Sequence, residues 1–192
     1  MTTSVSSRRV PDSRSAAEPP PTELRVRPIE PGDATALQRF YAELSEESRR
    51  LRFLSVSTRF GEKDSRYLCG PDHQHREGFV AVLQGNGGMS YAAGRIVGHV
   101  CIEPCGSGEM EIAIAVADRF QGRGIGHRLV DEAIGWAVAH GIERVWAWSA
   151  WDNRPIRRLF ESLHRPLHFG TSSGAVETVI DLLPPQHSLD AA

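Results

Sequence analysis

The chain has 192 residues, about one domain by length, with 40% hydrophobic residues and a formal net charge of −2. No apolar stretch reaches the roughly 18 residues of a membrane span, and the near-neutral charge supplies no basic field for nucleic acid. Cys69, Cys101 and Cys105 make an odd count, and with no secretory signal they suggest a reducing cytoplasm and free cysteines.

The first 22 residues are Ser, Arg, Ala and Pro with hardly an apolar side chain. They cannot bury enough surface to offset the entropy of ordering, so a disordered tail is expected over 1–22. Asp12, Glu18 and three consecutive prolines argue against an amphipathic targeting helix. The domain proper is expected over 23–183, followed by a loose end at 184–192.

Within it, Leu24 to Ile29 alternates as a first strand. Asp33 is expected to cap a helix from Ala34 to about Leu44, and Ser45 a second helix with Glu46 and Glu47 in its first turn. A short helix is predicted over Glu62 to Cys69 and a strand over Gly78 to Leu83, before a glycine-rich loop at 85–93. A third strand runs from Arg95 to Glu103 and is ended by Pro104; a fourth, Glu109 to Ala117, turns Met110, Ile112, Ile114 and Val116 to one side.

A helix from Gly124 to His140 follows, with Ile125, Leu129, Val130, Ala133, Ile134, Ala137 and Val138 on one stripe and Gly141 as its stop. Glu143 to Ser149 alternates as a fifth strand. Asn153 is placed to cap a last helix carrying Ile156, Leu159, Phe160 and Leu163. Leu167–Phe169 and Ala175–Leu182 then read as a closing strand pair.

The segment Asp118 to His127 joins the fourth strand to the long helix and carries glycines at every second position, Gly122, Gly124 and Gly126. Glycine lets the backbone turn tightly and approach a ligand with no Cβ in the way. The N–H groups of the helix's first turn lack intrahelical partners and sit at the positive end of its dipole, which makes a phosphate or pyrophosphate site. Arg123 and Arg128 add full charges.

No G-x-x-x-x-G-K-[ST] occurs, so a P-loop is excluded. The dinucleotide fingerprint G-x-G-x-x-G fits poorly, because the glycines run G-x-G-x-G and stand off from the strand; Glu143 lies near the distance of its ribose-binding acid but opens a strand.

Gln121-Gly122-Arg123-Gly124-Ile125-Gly126 matches the Q/R-x-x-G-x-G/A signature, and with the order of elements it resembles the GNAT superfamily of acetyltransferases over residues 24 to 183. The resemblance implies an α+β fold, a mixed, mostly antiparallel sheet flanked by helices, with acetyl-CoA as co-substrate. It further implies a pyrophosphate cradle built by Gln121, Gly122, Arg123, Gly124, Ile125, Gly126 and His127, and a cofactor contact at Asn153. Ser48 to Phe53 and Asp72-His73 more loosely resemble the bacterial protein-lysine acetyltransferase group.

Similarity to lysine acetyltransferases puts the base glutamate ten or so residues before the motif's Gln, at Glu111, with Glu109 as bystander or water-orienting partner. The plainer reading makes both glutamates the solvated face of a strand. The resemblance also assigns the thioester-polarising N–H to a residue near Val116, beside a bulge that opens the sheet. Many members carry a Tyr seven residues after the Asn to assist the leaving thiolate; here the residue is Phe160, which donates nothing.

His73 and His75 are candidates to line an acceptor cleft, though such histidines more often belong to the surface or core. Trp136, Trp146, Trp148 and Trp151 are expected around the last strands, and Trp151 within reach of the acceptor. His99, Cys101 and Cys105 form too weak a pattern for zinc. The acceptor is then a protein lysine or a small amine, including an antibiotic; a sensor that binds acyl-CoA without catalysis is the competing class, encouraged by Phe160.

Overall fold

Alternating Leu24 and Val26 set the first strand, β1 (Glu23–Pro28), in a computed structural model that describes residues 23–55, 59–84, 94–106, 109–172 and 174–182. The expected tails at 1–22 and 184–192 and the glycine loop at 85–93 lie outside the described residues. Helices α1 (Ala34–Ala42), α2 (Glu46–Phe53) and α3 (Glu62–Leu68) follow, then strands β2 (Glu77–Gln84), β3 (Arg95–Gly106) and β4 (Glu109–Val116). Helix α4 (Ile125–Ala139), β5 (Arg144–Ser149), α5 (Arg154–Glu161), β6 (Leu167–Ser172) and β7 (Ala175–Asp181) complete the order. The sheet runs β1-β2-β3-β4-β5-β7-β6, and each neighbouring pair is antiparallel except β4–β5.

The sheet's two faces are covered by different helices. Against one, α4 lays Leu129, Val130, Ala133 and Ile134 on Val100, Ile102, Ile112 and Val145, joined by Phe160 of α5. Each large side chain buried there contributes roughly 1.5–3 kcal/mol. A Cβ at Gly98 would lie 2.8 Å from Leu129 Cδ1, so the close seating of α4 on β3 requires glycine at that point. On the opposite face, Leu37, Phe40 and Tyr41 of α1 cover Val80, Val82, Ile96 and Ala115.

Four expectations are corrected. Asp33 precedes α1 but makes no side-chain cap; its carboxylate takes Arg27 Nη1 and Nη2, each at 2.7 Å, and the Glu30 N–H at 2.9 Å. A buried charge is better satisfied by a bidentate arginine than by one helix amide. Pro104 does not end β3, which continues to Gly106. The nitrogen of Pro104 faces the side where β2 has already stopped, opposite Ile102, so the missing N–H costs no ladder bond.

The β3–β4 register is unbroken from Gly98/Val116 to Pro104/Met110, so no bulge marks Val116. Trp151 is 82% exposed rather than packed around the last strands.

Candidate active site

β4 and β5 run parallel but stand in register only at Glu111 opposite Trp146. Beyond that point they diverge, because β5 follows its six-residue register with β7 while β4 stays paired with β3. Ala117 N–H bonds Val97 O across the β3–β4 ladder at 2.9 Å. Antiparallel alternation therefore turns the N–H groups of Ile114 and Val116 away from β3 and into the gap. A cavity of about 560 Å³ fills this fork, walled by β4, β5, α2, α5 and the start of α4.

At one end lies the glycine turn. Gly122 and Gly124 have φ of 70° and 77°, in the left-handed region where a Cβ brings strain. Gly124 is the N-cap of α4 and has no side chain to bond its amides. The first intrahelical bond runs from Arg128 N to Gly124 O, leaving the N–H groups of Ile125, Gly126 and His127 at the cavity for an anion. A Cβ at Gly126 would lie 3.4 Å from Leu159 Cδ2, so the turn sits close to α5. Arg123 does not line the cavity; its guanidinium lies over the Phe120 ring.

The side chain of Gln121 donates to Val116 O at 3.0 Å and to Ser48 Oγ at 3.1 Å, so it braces the turn against β4 and α2 instead of reaching outward. Asn153 caps α5 by accepting from Ile156 N at 3.3 Å, and it also lines the cavity. His127 Nε2 lies 2.9 Å from Ser162 Oγ. Phe160 is buried in the core and forms part of the cavity wall.

The other end belongs to Glu111, half-buried at the last paired residue of the fork. Burial pushes its carboxyl above the ordinary 4.5, and the Arg52 charge restrains the rise. Glu103 stands opposite Glu111 in register and binds Arg76 at 3.3 Å; burial raises its carboxyl too. Glu109 lies beyond the paired part of the fork and does not line the cavity.

Beneath Glu111, on the face covered by α1 and α2, Arg52 extends one Nη to Cys101 Sγ at 3.6 Å. Burial, reinforced by the Arg52 charge, lowers His99 to about 3, and its Nδ1 meets the Tyr41 hydroxyl at 2.9 Å. His99 and Cys101 are thereby committed to this buried network. No group of three or more His, Cys, Asp or Glu gathers to hold a metal among the described residues. His73 and His75 pair with Glu77 and Asp72 and lie off the cavity.

A strand-to-helix turn with free amide N–H groups thus lies at one end of a splayed parallel pair and a half-buried carboxylate at the other. The sequence profile of the acetyltransferase (GNAT) family matches residues 37–164. The chain belongs to this family. It is an acyltransferase with acetyl-CoA as co-substrate. Acetyltransferase PA5475 of Pseudomonas aeruginosa is 29% identical over 140 residues, which is 70% of each chain. The GNAT domain of S. lividans PAT superposes with a TM-score of 0.72 at 28% identity, covering 82% of this chain and 90% of that one. The yncA protein of Salmonella typhimurium, solved with its cofactor acetyl-CoA, shares the fold at 16% identity and a TM-score of 0.66, over 84% of this chain and 95% of that one.

Of the residues singled out from the GNAT sequence, the fold brings Glu111, Val116, Gln121, Gly122, Gly124, Ile125, Gly126, His127 and Asn153 around one cavity and leaves Glu109 and Arg123 off it. Sequence reasoning noticed Arg52 only as part of a segment. A charged residue between polar neighbours on a short helix reads as solvated surface, and nothing local marks it as facing a sheet.

Proposed function

We propose that the protein acetylates primary amines, chiefly the ε-amine of protein lysines, by direct transfer from acetyl-CoA with Glu111 as general base. The observation that carries this reading is Glu111 itself, half-buried in the lining of the cavity that begins at the glycine turn, where burial raises its carboxyl above the ordinary 4.5. A lysine near pKa 10.4 arrives almost wholly protonated, so a positioned base is needed. The Glu111 carboxylate takes one proton from the ammonium and passes it to solvent, the amine nitrogen bonds the thioester carbon, and the C–S bond breaks to release the coenzyme A thiolate while the second nitrogen proton leaves to solvent. Val116 N–H, turned into the fork, is suited to polarise the carbonyl.

The amides of Ile125, Gly126 and His127, within the turn that Gln121 braces, are suited to the pyrophosphate, and Asn153 to a further contact on the cofactor. Phe160 supplies no acid, and a thiol with pKa about 8.5 leaves as the thiolate without one. The resemblance of Ser48 to Phe53 to the bacterial lysine acetyltransferases supports the lysine acceptor, as does the likeness to the S. lividans PAT domain. Three free cysteines fit a reducing cytoplasm.

The test is coenzyme A release across amines, with acetylated lysines located by mass spectrometry. Lysine in a folded protein is expected to exceed free lysine in kcat/KM, because remote contacts add binding energy. Added salt is expected to slow the protein reaction more than the free-amine one. An efficient small-amine reaction with no salt dependence and no protein acceptor replaces the lysine reading with the small-molecule one.

A further inference from the structure

Arg52 stands apart from its neighbouring arginines. Arg27 pairs with Asp33, Arg50 with Glu47 and Asp152, and Arg76 with Glu103. Arg52 lines the cavity, its Nε is buried without a hydrogen-bond partner, and among the described residues its side chain bonds neutral groups, the Cys101 thiol and the Tyr41 hydroxyl. No carboxylate among the described residues forms an ion pair with it. Leaving a desolvated cation uncompensated is expensive, and an arginine fork matches a carboxylate in shape and charge.

The coenzyme's phosphates are not the missing anion. They belong to the glycine turn, while Arg52 shares its charge interaction with Glu111, about 16 Å of strand away from Val116.

We infer that Arg52 binds a carboxylate carried by one of the two reactants, either the carboxylate of an amino-acid acceptor or the free carboxylate of a dicarboxylic acyl group on coenzyme A. This rests on Glu111 marking the reacting centre. Occupation by an anion has a further consequence there. Arg52 is the charge that restrains the Glu111 carboxyl, so neutralising it lets burial raise Glu111 further and makes it a stronger base.

Two series of initial rates test the assignment on the full-length chain. The donor series compares succinyl-CoA with butyryl-CoA and acetyl-CoA at one amine. The acceptor series compares lysine with cadaverine, and alanine with ethylamine, using acetyl-CoA. The carboxylate-bearing member of one series is expected to lead in kcat/KM by tenfold or more. In Arg52→Gln that ratio falls towards one, and in Arg52→Lys to an intermediate value. The ratio is taken within each variant, so a general loss of folded enzyme does not imitate the result.

A lead in the donor series assigns Arg52 to the acyl group; a lead in the acceptor series assigns it to an amino-acid acceptor and displaces the protein lysine. No lead in either series of the wild-type protein overturns the inference, as does a lead that survives undiminished in both variants. Acetyl transfer that still depends on Glu111 would leave the proposed function standing in either case.

Discussion

Ser48 Oγ donates to Asp118 Oδ1 at 2.7 Å, joining two residues 70 positions apart. The same carboxylate accepts from Ser45 N at 3.0 Å and Ser45 Oγ at 2.5 Å, and Ser48 in turn accepts from Gln121. The first turn of α2 and the glycine turn are therefore fastened as one unit. Hydrogen bonds from Ser45 and Ser48 hold Asp118 below the ordinary carboxylate range, although partial burial alone would raise it. Asp118→Ala is expected to raise the Kd for acetyl-CoA roughly tenfold, the equivalent of about one charged hydrogen bond, with kcat changing less. Calorimetric titration checks this, and an unchanged Kd would show that the turn holds its shape without α2.

The glycine turn has its own test. Gly124→Glu forces a side chain into a left-handed residue at the anion site and sets a negative charge where the pyrophosphate would bind. Acetyl-CoA binding is expected to vanish while the fold stays cooperative. Gly124→Ala meets no atom within 4 Å of its Cβ, so it carries only the backbone strain of about 1 kcal/mol and keeps measurable affinity. Calorimetry showing wild-type affinity in Gly124→Glu would remove the turn from the cofactor site.

The parts legible in the sequence are those encoded by local pattern. Period-two apolarity in β4, the stripe on α4, the glycine spacing and the Ser45 and Asn153 caps all appear in the structure as read. The illegible parts depend on pairing between distant segments. Nothing near Val116 signals that β4 and β5 separate, because the separation comes from β5 following β7. Asp33 shows the same limit, since its position before a helix favours a cap while Arg27, six residues back, wins the carboxylate.

That pair yields a stability prediction. Burial raises the Asp33 carboxyl, but the Arg27 bonds and the Glu30 N–H overcome it, and the net shift is downward from 3.8. A depressed folded pKa contributes stability above the unfolded value and loses it as pH falls through the folded one. Asp33→Asn is expected to cost about 2–3 kcal/mol at neutral pH, less than a fully buried pair because the Arg27 side chain is 22% exposed. Urea unfolding should show this difference at pH 7 and a shrinking one below pH 3.8. A difference that stays constant with pH would assign the loss to packing rather than charge.

The role proposed for Glu111 is tested most sharply by pH, because a general base must be in its ionised form. Its raised carboxyl means that the acid limb of kcat/KM lies above 4.5, with activity lost as pH falls through that limb. Glu111→Gln keeps the shape but removes the acceptor for the proton, so kcat is expected to drop by roughly 10²–10⁴ with little change in acetyl-CoA affinity. The acid limb should disappear from the residual activity. Glu109→Gln, altering a residue off the cavity, should cost much less. Arg52→Gln should move the limb upward, because it removes the charge that restrains Glu111 while burial remains. Equal losses at Glu109 and Glu111 would move the base elsewhere on β4. A limb that persists unchanged in Glu111→Gln would show that another group, or the amine itself, sets the pH profile.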